Sequence, residues 1–212
     1  MRPEHFLTVL ALLLAAVAIY SVTHGYAIFD YFKPMTTVAI ITLAAWRGPF
    51  TSFGKWMITG LLFGLLGDIF LLRETYFVYG LGAFLVTHAC FTVAIAQRFG
   101  NPRRPEVGLS LLAFGALYYF LLWENLGELA LPVAVYFGVI LLMVYFAIGH
   151  YRRRPDRLRR LLALAALLFV VSDGLIGYNK FVAPVSGAQL LILGTYWLSV
   201  GGFAWAVVWE RS

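Results

Sequence analysis

The chain has 212 residues, 62% of them hydrophobic and only 12% charged, with a formal net charge of +6. Soluble domains carry about 25% charged residues, so this composition excludes a soluble fold and requires an integral membrane protein. At about 20 residues per span the length holds at most about eight spans with short loops, and residues 1–212 are expected to form a single integral membrane domain.

Hydropathy predicts an all-α bundle of about eight transmembrane helices, at 5–23, 34–47, 55–72, 77–97, 107–123, 131–150, 160–179 and 187–209. The first follows Arg2 and includes the apolar run Phe6–Tyr20. No convincing small-residue cleavage site follows, so it reads as a retained helix rather than a signal peptide. The second is short and opens at Pro34; Pro132 opens the sixth, since a missing N–H costs nothing in a helix's first turn. The third contains GLLFGLLGDIFLL, residues 60–72, with one acid, Asp68. A carboxylate in hydrocarbon costs about 2.5–3.5 kcal/mol, so Asp68 is expected to face protein or water. Gly60, Gly64 and Asp68 are spaced by four and share one helix face, where small residues admit a neighbouring helix at close range. The fourth helix carries His88 near its middle and Cys90, a lone cysteine read as a small core residue. The seventh contains FVVSDGLIGYNKF, residues 169–181, with Asp173, Gly177 and Lys180 on one face. Gln189 and Tyr196 share a face of the eighth.

The loops on one side hold Arg2, Arg47, Lys55, Arg98, Arg103, Arg104, Arg152, Arg153, Arg154, Arg157, Arg159, Arg160 and Arg211; the other side holds Lys33, Arg73 and Lys180. The positive-inside rule then puts both termini in the cytoplasm. Trp46, Trp56, Trp205 and Trp209 fall at the cytoplasmic interface and Trp123 at the outer one. The basic segment HYRRRPDRLRR, residues 150–160, suggests nucleic acid less than it suggests a cytoplasmic anchor touching anionic lipid head groups; no nucleic-acid partner is expected. Pro34, Asp68 and Thr87-His88 have counterparts in Pro132, Asp173 and Thr195-Tyr196, in the same order and four helices apart, a weak signal of a parallel 4+4 repeat.

With this orientation Lys33, Asp68, Tyr136, Asp173, Asn179, Lys180, Gln189 and Tyr196 lie in the outer half of the membrane, and His88 near its middle. The expectation is one polar cavity, open to the non-cytoplasmic side or the outer leaflet and lined by helices 2, 3, 4, 6, 7 and 8. Plainer readings compete at each residue. Asp68 can be a structural hydrogen-bonding acid at a glycine contact, and Asp173 a partner of Lys180. His88 can be a satisfied core histidine, Tyr136 and Tyr196 packing residues, and Lys33 and Lys180 snorkelling side chains. Of His5, His24, His88 and His150 only His88 is deep in the membrane, so no three-histidine zinc site is expected. No G-x-S-x-G motif supports a serine nucleophile. Neither a metal nor another cofactor is expected.

Lys33-Pro34, Gly67-Asp68, the run Gly80–Leu85 ahead of His88, Ser172-Asp173, Asn179-Lys180-Phe181 and Thr195-Tyr196 follow one another in a specific order. In these elements, across essentially the whole chain, the sequence resembles the YhhN-type membrane proteins, which include the eukaryotic transmembrane lysoplasmalogenases. The resemblance implies about eight helices and no metal motif. It also implies hydrolysis of the vinyl ether bond of a lysoplasmalogen, giving a fatty aldehyde and a glycerophospho-alcohol. The implied partners are a lysophospholipid substrate and the bilayer, and the expected location is a bacterial inner (plasma) membrane.

A vinyl ether hydrolyses by protonation at the carbon β to oxygen. Water adds to the resulting oxocarbenium ion, and the hemiacetal collapses to an aldehyde. Two carboxyls in different environments divide such acid and base roles in glycoside hydrolysis. Asp68, in an apolar glycine-rich setting, is the expected general acid and Asp173, with Lys180 on its face, the ionised partner; the reverse assignment stays open. Lys33 and Lys180 are expected to hold the phosphate as point charges. His88, Tyr136, Asn179 and Tyr196 are expected to orient water or the glycerol hydroxyl. The alternative function is a small transporter or lipid carrier that uses the same acids to bind protons or substrate.

Overall fold

A computed structural model of the chain describes residues 2–46 and 51–210. Among them the regular structure is entirely helical. It comprises α1 (Pro3–Thr23), α2 (Phe29–Ala45), α3 (Ser52–Phe70), α4 (Phe77–Phe99), α5 (Pro105–Leu122), α6 (Ala130–Arg153), α7 (Arg157–Phe181) and α8 (Ala188–Glu210), with short 3-10 turns before α4 and between α5 and α6. All but α2 are long and apolar enough to cross a membrane. The chain is an integral membrane protein of eight helices. Local signals set several starts. Thr51 accepts from the Gly54 N–H at the head of α3 and Asp156 from the Arg159 N–H at the head of α7. Pro3 and Pro105 occupy the first turns of α1 and α5.

Two boundaries carry information. Pro132 sits in the first turn of α6, as expected. Pro34 does not open α2: the helix starts at Phe29 and the proline lies inside it. A proline there forfeits one backbone bond, to the carbonyl four residues back. The turn ahead of it is held in other ways. Phe29 and Phe32 pack against the core, and Asp30 binds the Arg73 guanidinium at 2.7 Å.

Contacts between helix ends show an up-and-down bundle. At one end Arg98 in the last turn of α4 meets Glu210 of α8 at 3.4 Å, Arg157 of α7 stacks on Trp209, and His150 of α6 bonds the Gly100 carbonyl at 2.9 Å. At the other, Asp30 of α2 meets Arg73 after α3, and Lys180 of α7 lies over Phe77 of α4. The first end carries Lys55, Arg98, Arg103, Arg104 and the arginines of 152–160, and the opposite end carries Lys33, Arg73 and Lys180. Arg47 and Arg211, counted with the basic side, lie outside the described residues.

The glycines of α3 set the packing that positions Asp68. A Cβ on Gly60 would come within 2.5 Å of the Phe91 ring, and one on Gly67 within 2.6 Å of the Phe84 ring. Gly64 faces Thr87 and the Tyr196 hydroxyl. Helices α3 and α4 therefore approach as closely as their backbones allow, the effect expected of small residues at this spacing.

Candidate active site

Helices α2, α3 and α8 meet at Asp68, which is 1% exposed. Its Oδ2 accepts from Thr37 Oγ1 at 2.5 Å and from the Tyr196 hydroxyl at 2.9 Å. Lys33 Nζ stands 3.9 Å from Oδ1 and is itself buried. Trp197 Nε1 donates to Thr37 Oγ1 at 3.4 Å. Lys33 and Thr37 are one helical turn apart on α2, so both reach the same carboxylate. Both hydroxyls thus bond one oxygen of Asp68, and the ammonium is ion-paired with the other.

Helices α4, α6 and α7 meet at Asp173. The Tyr136 hydroxyl donates to Oδ2 at 2.5 Å, and His88 Nε2 lies 3.1 Å from the same oxygen and 2.9 Å from the Tyr136 oxygen. His88 Nδ1 is buried with no hydrogen-bond partner among the described residues. At the very next residue of α7, the Tyr118 hydroxyl of α5 donates to the Gly174 carbonyl at 2.5 Å and pins the helix in place.

The two clusters are not one polar cavity, contrary to expectation. Aromatic rings stand between them. Phe169 lies 4.4 Å from the His88 ring and 5.6 Å from the Tyr196 ring, and Phe84 lies 5.6 Å from Tyr196. The pairing with lysines also differs. Lys180 does not partner Asp173: its ammonium lies 4.4 Å over the Phe77 ring. Seven helical residues separate the two by about 10.5 Å along the axis, so a shared face does not make a contact. Among the described residues the imidazole at Asp173 is His88, and the lysine at a carboxylate is Lys33, on Asp68.

Two cavities adjoin these clusters. A narrow cleft of about 50 Å3 is bordered by Asp173, Tyr136 and Gly174 and otherwise by apolar side chains, among them Leu81, Phe137, Val170 and Phe181. It has room for one or two waters as it stands. A wider vestibule of about 520 Å3 is lined by Lys33, Arg73, Glu74, Asn179, Lys180 and Gln189. Leu71, Phe77 and Ile176 border both spaces. Asn179 also has a structural task, accepting from the Val185 N–H at 2.8 Å and so folding the loop into α8. Arg73, outside the spans, is pushed further up by its hydrogen bond to Asp30 and by that residue's charge.

All eight residues proposed from sequence thus reach this region, in three groups: Lys33, Asp68 and Tyr196; His88, Tyr136 and Asp173; Lys33, Asn179 and Lys180 at the vestibule. Sequence reasoning missed Thr37, the Phe84–Phe169 wall, and Arg73 with Glu74. Thr37 was findable as the residue one turn from Lys33. A carboxyl bonded to a phenol and an imidazole at the edge of an apolar cleft can give and take a proton, and a basic vestibule can hold an anion.

The family description "YhhN family" matches residues 28–206. This chain belongs to the YhhN family. The membrane protein YhhN of Escherichia coli O157:H7 is 33% identical over 118 residues, 55% of this chain and 56% of the relative. The chain therefore spans a little over half of that relative's length. Lysoplasmalogenase TMEM86A of Homo sapiens is 34% identical over 149 residues, 68% of this chain and 61% of the relative. A lysoplasmalogenase of Mycobacterium bovis is 30% identical over 203 residues, 91% of this chain and 73% of the relative. No solved structure matches the chain. Both carboxyl clusters and the vestibule fall within the YhhN-matched residues.

Proposed function

We propose that this YhhN-family chain is a lysoplasmalogenase, hydrolysing the vinyl ether of a 1-alkenyl lysophospholipid to a fatty aldehyde and a glycerophospho-alcohol. One observation carries the reading: a hydrogen-bonded carboxyl, Asp173, borders an apolar cleft that adjoins a basic vestibule. That is the layout of a lysolipid, with its chain in the cleft, its phosphate near Lys33 and Lys180, and its ether oxygen between them. The relatives named lysoplasmalogenase support the same reading.

The two divisions of labour open from sequence share the work between both acids; here Asp173, which meets the cleft, takes the proton donor's role and the base's role as well. Asp173 hands its proton to the carbon β to the ether oxygen, and the double-bond electrons form the new C–H bond. The positive charge settles on the oxocarbenium ion beside the new carboxylate. Water attacks that carbon while Asp173 takes back a proton from it. The resulting hemiacetal collapses, its C–O bond breaks, the glycerol oxygen leaves as an alcohol, and an aldehyde remains. Tyr136 and His88 steady the carboxylate between the two transfers. Asp68 holds Lys33 and Tyr196 in position. The basic end faces the cytoplasm and the vestibule faces the opposite side of a bacterial plasma membrane.

The test is aldehyde release from 1-alkenyl lysophosphatidylethanolamine by the purified chain in detergent micelles. Stoichiometric aldehyde and glycerophosphoethanolamine are expected. Proton-coupled flux in liposomes without any aldehyde would sink the hydrolase in favour of a transporter.

A further inference from the structure

The helix ends remote from the vestibule enclose another cavity, of about 620 Å3. None of its lining belongs to either carboxyl cluster. Arg2 and His5 flank the start of α1, Trp46 follows α2, Arg157 opens α7, and Trp205 and Trp209 close α8. Half of this lining, namely Arg2, Glu4, His5, Val208 and Trp209, falls outside residues 28–206, the part matched by the family.

The cavity has a built wall. Trp205 Nε1 donates to Thr8 Oγ1 at 3.2 Å, which fixes the indole, and the His5 ring lies 5.8 Å from it. The Arg157 guanidinium lies 3.8 Å over the Trp209 ring, a cation–π contact that aims its charge along the rim. Leu43, Leu161 and Val208 make an apolar floor. Two guanidiniums against the one carboxylate of Glu4 leave the lining net cationic.

Indoles at the water interface, a cationic rim and an apolar floor match one kind of occupant. We infer that this cavity binds an anionic phospholipid of the leaflet on the arginine-rich face. Its phosphate sits at Arg2 and Arg157, its glycerol backbone against the indoles, and its acyl chains over Leu43 and Leu161. Guanidiniums suit this task because they pair with phosphate oxygens in a forked geometry, and indoles favour the head-group level. The site lies at the far end of the helices from the vestibule, so it does not depend on the hydrolase reading.

The test uses the full chain in nanodiscs of equal parts phosphatidylglycerol and phosphatidylcholine, read by native mass spectrometry. Wild type is expected to retain one phosphatidylglycerol in preference to phosphatidylcholine. Arg2→Gln with Arg157→Gln should weaken that retention about tenfold. Arg152→Gln with Arg154→Gln removes the same charge outside the cavity and should change it by no more than about twofold. Equal losses in both pairs would mean diffuse surface attraction and would overturn the site. A second measurement needs no variant: phosphatidylglycerol brominated on its acyl chains should quench tryptophan fluorescence more than brominated phosphatidylcholine does. Equal quenching by the two lipids overturns the inference.

Discussion

Asp68 and Asp173 look alike in the sequence, each a single acid after a small or polar residue in an apolar helix, yet the fold treats them differently. Asp68 receives two hydroxyls and a lysine ammonium and is sealed inside α2, α3 and α8. Asp173 receives a phenol and an imidazole and meets a cleft. A carboxylate sealed among its partners holds its neighbours; one with a face on a cavity can trade protons. Depth in the membrane does not separate the two residues. Access to the cleft does: Asp173 lines it and Asp68 does not.

Substitution can break this contrast. Asp173→Asn keeps the side chain's shape and removes the exchangeable proton, so aldehyde release should fall about 10²- to 10⁴-fold with little change in melting temperature. A variant that keeps more than about a tenth of wild-type turnover would remove Asp173 from the chemistry. Asp68→Asn should do the opposite. It leaves the Lys33 ammonium buried without its counter-charge, which costs about 3–5 kcal/mol of stability, read as a large drop in melting temperature in detergent. Adding Lys33→Met to Asp68→Asn should restore most of that loss; no recovery would mean that the ion pair is not what Asp68 contributes. Gly67→Ala pushes a methyl into the Phe84 ring and should cost about 1–3 kcal/mol, spread over both clusters because Phe84 stands between them. The smallest effect is expected for Tyr118→Phe. Losing the hydrogen bond to Gly174 should cost about 1 kcal/mol, read as a small fall in melting temperature with a modest drop in turnover.

Much of this was legible before any coordinates. Composition requires the membrane, hydropathy counts the eight helices, and the four-residue spacing of Gly60, Gly64 and Asp68 anticipates the tight α3–α4 contact. The cost of an intramembrane carboxylate singles out Asp68 and Asp173 as residues needing partners. What those partners are was not legible, because they cross between helices far apart in the chain: His88 and Tyr136 for Asp173, Thr37 and Tyr196 for Asp68. Same-face reasoning offered Lys180 for Asp173 and failed on distance along the helix axis. The start of α2 was misread for a related reason. Proline marks a favoured helix start, but tertiary contacts of Phe29, Asp30 and Phe32 outweigh the one backbone bond that Pro34 forgoes. The Phe84–Phe169 wall carries no polar signature at all, so nothing in the pattern of charged residues announced that the expected cavity would be divided.

The ammonium of Lys180 resting on Phe77 has a consequence for timing. Phe77 borders both the vestibule and the cleft and meets Phe181, another ring at the cleft, with centroids 6.1 Å apart. On the proposed lysoplasmalogenase reading, a phosphate arriving in the vestibule would compete with the ring's π face for the same ammonium, an interaction worth about 0.5–1 kcal/mol at an exposed lysine. Once the lysine turns to the phosphate, the ring loses its tether and is freer to swing, and a cleft now sized for water can admit an alkenyl chain. Head-group arrival and chain entry become one event in sequence, with the lysine as its latch. Lys180→Met should then uncouple them: short-chain and long-chain substrates, which differ in wild type by how much ring motion they need, should converge in their entry rates under stopped-flow mixing.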